Sequence, residues 1–197
     1  MIKKQMPKII YILLIIVFTC SSDLIAQEKF EKESRIKGND VPTEAQLFID
    51  SSNITNKVKW YKEEGLNTQS IEAKFKYNNS KYSVEFNTGG HVEDIEIEVN
   101  FEDLESHLKE AIILQLKTDC SKYKIVKVQK QYTGSESHLL STFKTDKTSA
   151  SLTIKYELII RCHQQKEVNL FEYLFNDSGE LISTSKIVFK NSSHLEY

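Results

Sequence analysis

Two cysteines are the residues with the most defined chemistry. Beyond Cys20, near the N-terminus, the chain holds only Cys120 and Cys162, an even pair that an oxidising compartment would join as a disulfide. If a strand near 123–132 pairs antiparallel with one near 151–163, partner numbers sum to a constant. Setting Cys120 opposite Cys162 centres that hairpin on Ser141, so strand pairing and thiol pairing agree. The bond would close a loop of about 43 residues and contribute about 3 to 4 kcal/mol. The alternative is two buried free thiols, because Cys162 shares parity with Leu152, Ile154, Tyr156, Leu158 and Ile160.

Carboxylates offer a second chemistry. Asp94, Glu96 and Glu98 fall at two-residue steps, one strand face at roughly 7 Å spacing. A hard cation such as calcium uses such oxygens, but no loop of Asp/Asn/Gly spacing accompanies them. They read as a solvated acidic face balanced by Lys74, Lys76 and Lys81 on neighbouring strands, and no metal is expected. Nucleophilic catalysis has no support: Gly-x-Ser-x-Gly, Cys-Gly-x-Cys and His-Glu-x-x-His strings are all missing from the sequence. His91, His107 and His163 read as turn, helix-surface and edge residues. The sequence therefore predicts no enzyme and no cofactor.

The elements that would position these residues follow from periodicity. Residues 70–77, 81–87 and 91–99 alternate apolar and polar side chains (Ile71, Ala73, Phe75; Tyr82, Val84, Phe86; Ile95, Ile97, Val99), with turns at Asn78-Asn79-Ser80 and Asn87-Thr88-Gly89-Gly90. They form an antiparallel meander with one dry face. Val41-Pro42 opens a short helix ending at Ser51-Ser52-Asn53, and a strand holds Val58 and Trp60. Leu104, Leu108, Ala111, Ile112 and Leu116 make the stripe of a second helix. Strands follow near 123–132, 151–163, 168–175 and 181–189. Residues 82–92 align with 171–181 at a constant shift, Phe-Asn before each turn and Gly90 matching Gly179.

The predicted fold is therefore α+β: a tandem repeat of a helix plus a four-stranded antiparallel sheet, over residues 41–100 and 101–190, with the helices packed on one face and the repeats joined into one sheet of about eight strands. Residues 1–26 read as a signal peptide, Lys3, Lys4 and Lys8 preceding the apolar run Ile9 to Phe18, with cleavage after Ala26. A lipid anchor on Cys20 is the competing reading. Residues 27–40 read as a flexible charged leader, and 191–197 as a tail. The whole chain carries a formal charge of −2. No basic stripe points to nucleic acid, and the apolar run is too short to span a membrane comfortably.

Val41-Pro42, the strand Val58-Lys59-Trp60-Tyr61-Lys62, the Phe75 strand and the Phe86-Asn87-x-x-Gly90 hairpin resemble the PepSY-like domains of Gram-negative envelope proteins over about residues 41–132. These are similar in fold to the beta-lactamase inhibitor protein. The resemblance implies a secreted or periplasmic, non-catalytic binding or inhibitory module.

Two stretches are candidates for a protein partner. Opposite Phe171, Tyr173 and Phe175 lie Leu170, Glu172 and Leu174, and Ile159 interrupts a polar series, so the open sheet face of the second half is unusually apolar. The loop 133–148 carries Leu139, Leu140 and Phe143 among polar residues. Alternatively the strands extend, with 145–148 as the turn, which would break the cysteine register. The leading function is protein binding through the open sheet face; the rival is small-ligand or ion binding as a sensor or carrier.

Overall fold

The computed structural model describes residues 27–143, 151–164 and 167–189. The expected signal segment with Cys20, the turn at 145–148 and the tail 191–197 lie outside these. Strand β1 (Gln27–Ile36) leads to helix α1 (Thr43–Ser51), then β2 (Lys59–Glu64), β3 (Gln69–Tyr77), β4 (Ser80–Asn87) and β5 (Val92–Glu98). Helix α2 (Ser106–Asp119), β6 (Lys122–Thr133), the short helix α3 (Glu136–Ser141), β7 (Thr153–Gln164), β8 (Glu167–Asn176) and β9 (Leu181–Phe189) complete it.

The strands form one closed barrel in sequence order. This corrects the predicted tandem repeat of helix plus four-stranded sheet: the single sheet closes on itself, so the described strands leave no open sheet face. It also corrects the flexible leader. Residues 27–36 are the closing strand, antiparallel to β2 (Arg35 opposite Tyr61) and parallel to β9 (Lys29 opposite Ile187). The leader was misread because a strand is usually recognised by its apolar face, and β1 presents Lys29 and Glu33 to a polar interior.

Inside and outside are reversed relative to a solvated sheet. Side chains of directly paired residues share a face. The pairs Ile71–Phe86, Ala73–Val84 and Val84–Ile95 point outward, where Ala45, Phe48 and Ile49 of α1 cover them together with Leu139 and Phe143. A second outer core joins Leu108, Ile112 and Leu116 of α2 to Leu158, Ile160, Phe171, Tyr173 and Phe175. The alternate positions face inward: Glu72 opposite Glu85, Glu85 opposite Asp94, Ser83 opposite Glu96, Ile159 opposite Glu172. Alternation thus identifies the two faces correctly, but the polar one is enclosed by its own far wall.

The two matched hairpins are alike in detail. Asn87 Oδ1 accepts from the backbone N–H of Gly89 and His91, and Asn176 Oδ1 from that of Ser178 and Glu180. Gly90 and Gly179 have φ of 89° and 88°. A Cβ on Gly90 would stand 2.9 Å from the Ala45 backbone nitrogen, and one on Gly179 2.9 Å from the Ala111 Cβ, so each turn packs its glycine onto a helix. Gly90→Ala is expected to destabilise the protein by about 2 kcal/mol through positive φ and this contact. Gly38→Ala, where a Cβ meets nothing within 4 Å, should change the urea midpoint little. Equal midpoints for the two variants would refute the packing argument.

Cys120 and Cys162 form a disulfide with Cα atoms 5.4 Å apart. The register proposed for it is corrected. Tyr123, not Cys120, stands opposite Cys162, and a bulge at Val126 shifts the ladder so that Lys127 meets Ile159. Cys120 caps the end of α2, its N–H bonded to Leu116 O, so the bond ties helix to sheet.

Candidate functional site

The barrel encloses a cavity of about 1190 Å³ with walls drawn from all nine strands. Much of the wall is fixed by strand alternation: Glu72, Glu85, Glu96, Glu157 and Glu172 each lie between two residues that pack on an outer core. The contents are mainly carboxylates. Glu33 of β1, Glu63 of β2, Glu72 of β3, Glu85 of β4, Glu96 of β5, Glu157 of β7 and Glu172 of β8 line the space, with Lys29, Lys74 and Lys127. Asp94, in register with Glu85, lies deeper on the same face and is 7% exposed.

Some of this charge is compensated. Lys29 Nζ donates to Glu172 Oε2 at 2.5 Å. Lys74 Nζ donates to Glu33 and stands 2.8 Å from Glu72 Oε2; burial opposes its charge, yet the Glu72 and Glu33 carboxylates hold its pKa above the ordinary lysine value. Oxygens of Glu33, Glu63 and Glu72 lie within 4.8 Å of one another, a spacing that could serve a metal ion, but the Lys74 ammonium already bonds two of the three.

The rest is not. Glu85, Asp94, Glu96 and Glu157 have no lysine within ion-pair distance among the described residues. Two amides support them: Gln129 Nε2 donates to Glu96 Oε2 at 2.5 Å and Gln131 Nε2 to Asp94 Oδ2 at 3.0 Å. Enclosure and mutual repulsion favour the protonated form of these groups. Burial first, and then the Glu85 charge, pushes Asp94 up to about 8; burial and then Asp94 push Glu96 to about 8. Burial, followed by the Glu72 charge and hydrogen bond, raises Glu63 to about 9. Glu85 and Glu157 are also raised, again chiefly by burial.

Opposite the carboxylates the lining is apolar. Ile159, Leu170, Leu174 and Ile187 face the cavity, with Glu172 among them. Four residues predicted for partner binding (Ile159, Leu170, Glu172 and Leu174) are therefore brought together, on an inner wall rather than an open face. The other three are not with them. Leu139 and Phe143 are buried at 0% and 7% exposure, and half-buried Leu140 packs on the same outer core. They belong to α3 and the turn after it, which plug the core over Tyr77, Tyr82 and Phe75.

Sequence reading missed Glu63, Glu72, Glu85, Glu157 and Lys29 as site residues. A signal was present: once Ile71 is set opposite Phe86, Glu72 and Glu85 become directly opposed like charges, an arrangement that costs stability on a plain sheet.

The two ends of the lumen differ. At the β2–β3 and β4–β5 turns, Glu64, Leu66, Thr68, Thr88 and Glu93 form the rim. At the β3–β4 end an adjoining depression of about 560 Å³ is lined by Lys57, Lys59, Lys76 and Lys81, and meets the lumen at Lys74, Ser83, Lys127 and Gln129.

No family model matches the sequence, and no curated protein matches it. Solved structures do resemble it. A DUF2874 family protein from Bacteroides uniformis superposes with a TM-score of 0.51 at 12% identity, covering 74% of this chain and 89% of its own. The likeness is one of fold. A second DUF2874 family protein, from Bacteroides ovatus, gives 0.49 at 14% identity over 74% and 87%. A BLIP-like protein from Bacteroides fragilis gives 0.46 at 13% over 78% and 92%. The PepSY-like assignment drawn from the sequence finds no support among these matches.

Proposed function

We propose that this protein is a non-catalytic binding module of the cell envelope, periplasmic or secreted, that holds a small ligand in its barrel lumen. The observation that carries this reading is the cavity of about 1190 Å³ enclosed by every strand of the fold, somewhat above the roughly 300–1,000 Å³ of most small-molecule sites and in a barrel of a strand number that leaves room for a ligand. The disulfide and the charged-then-apolar order of residues 1–26 support the compartment. That Leu170 and Leu174 look into the lumen supports a lumen ligand over inhibitor-like binding through a sheet face.

A thermal-shift panel of small molecules tests the proposal. A lumen ligand at a hundred times its Kd should stabilise the protein by about 2.7 kcal/mol. The shift should shrink in Leu174→Trp, which projects a larger ring into the lumen from its apolar wall. If every stabilising compound acts equally on this variant, or none stabilises the wild type, the lumen is not the working site.

A further inference from the structure

We propose that the lumen takes a linear aliphatic polyamine, its ammonium groups on Glu85, Asp94, Glu96 and Glu157 and its methylenes along Ile159, Leu170 and Leu174. The inference rests on reading the lumen as a ligand site and names the class of ligand.

The charge balance is the first argument. Lys29 is engaged with Glu172, and Lys74 with Glu33 and Glu72, which leaves Glu63, Glu85, Glu96 and Glu157 of the inner wall, with Asp94 behind Glu85, facing the single further lysine of the lining, Lys127. Such a group attracts a ligand of more than one positive charge.

Spacing separates a polyamine from a metal ion. Among the described residues only Glu33, Glu63 and Glu72 bring oxygens close enough to share one ion, and Lys74 bonds there. Glu85, Asp94, Glu96 and Glu157 are spread over β4, β5 and β7, and Asp94 and Glu96, two residues apart on one strand, are separated by about 7 Å. One ion cannot bridge that distance. Nitrogens separated by three or four methylenes, about 5 to 6 Å apart from standard bond lengths, can address successive carboxylates.

A second, independent observation is the state of Asp94. It is 7% exposed, and its Oδ1 has no hydrogen-bond partner although Oδ2 accepts from Gln131. Its register with Glu85 sets that carboxyl on the lumen side. Buried carboxyl oxygens are almost always satisfied, and a ligand N–H would satisfy this one.

The apolar wall completes the match, since an inorganic cation has no use for it and a methylene chain does. The rim supplies direction. Glu93 stands at one end, where Glu64 is paired with Lys32 and Lys62, and Lys57, Lys59 and Lys76 stand at the other, where Lys81 is paired with Glu98, so a cation meets less repulsion at the first end.

The test is isothermal titration of the purified protein with spermidine, with magnesium chloride and triethylene glycol as parallel titrants, in two buffers of different ionisation enthalpy. Spermidine is expected to bind and to release protons, because Asp94 and Glu96 hold theirs near neutral pH. Glu96→Gln/Glu157→Gln, shape-conserving and checked for folding by circular dichroism, should weaken it at least about ten-fold. The proposal is overturned if spermidine gives no more heat than triethylene glycol, if magnesium binds as tightly and competes, or if the folded double variant binds spermidine unchanged. If spermidine fails while another compound still has its thermal shift reduced in Leu174→Trp, the polyamine class falls and the lumen reading stands.

Discussion

Raising the pH from 5 to 9 is expected to cost this protein about 3 kcal/mol or more of stability, lowering Tm by roughly 6 to 12 °C at the 2–4 °C per kcal/mol of a domain this size. The cause is the enclosed acid cluster. In the unfolded chain Asp94 returns to 3.8 and Glu63 and Glu96 to 4.5, whereas the fold holds them at about 8, 9 and 8. Between those limits the folded protein binds protons that the unfolded chain has released, so stability is full below about pH 4 and declines as pH rises through 8 to 9. One such proton contributes a slope of about 1.4 kcal/mol per pH unit. The total is set well below three full slopes because Glu63 is only partly buried, so solvent screens part of its interaction. The groups facing the cluster from the other strands act in the same sense as one another: Glu72, Glu85 and Glu157 each add negative charge against which a neighbour must ionise. Glu64, on the rim, is lowered by Lys32 and Lys62 and acts only below about pH 4.5, outside this window. Urea unfolding at pH 5, 7 and 9 checks the expectation, and Asp94→Asn/Glu96→Gln should roughly halve the decline. A midpoint that holds steady or rises between pH 5 and 9 would show that the lumen carboxylates are solvated and ionised.

The same cluster marks where sequence reasoning stopped. Strand positions were legible because alternation and turn residues are local: the predicted 70–77 and 81–87 became Gln69–Tyr77 and Ser80–Asn87, and Ile71, Phe75 and Phe86 lie in the core as their parity required. What a strand's polar face meets is not local. Glu72 and Glu85 have the same pattern whether that face touches water or the opposite wall of a barrel, and only closure by β1 decides it. β1 in turn could not be recognised, since Lys29 and Glu33 make sense as strand residues only once a polar lumen exists to receive them. The loop 133–148 was illegible for the opposite reason: Leu139 and Leu140 sit in a helix only six residues long, with Phe143 just beyond it, too short for a periodic stripe to show. The thiol pair was right while its register was wrong, because proximity came from the end of α2 rather than from the β6–β7 ladder.

That origin shapes what the disulfide does. Reduction, or Cys120→Ala/Cys162→Ala, is expected to cost about 3 to 4 kcal/mol by releasing a loop of 42-residue separation in the unfolded chain, or roughly 6 to 16 °C in Tm. Had the bond joined paired strands, neighbouring backbone hydrogen bonds would have held its ends in register without it. Here one end is a helix terminus. Cys120 is 4% exposed and Cys162 0%, and beyond the bond itself the junction is held by Ser121, whose N–H and hydroxyl both donate to His163 O at 3.0 and 2.8 Å. Gln164 Nε2 also reaches Asp119 O at 3.2 Å. These contacts sit at the exposed rim, while Leu116 and Ile112, both fully buried, anchor the preceding turns of α2 on β7 and β8. The reduced protein should therefore stay folded under native conditions, with exchange protection lost first at the last turn of α2 and at residues 161–164 of β7. Urea midpoints with and without reductant measure the global effect, and hydrogen exchange the local one. An unchanged midpoint would mean that the unfolded chain is already restricted in this loop. Protection lost instead along β1 and β9 would mean that α2 holds the barrel's seam and not merely its own outer core.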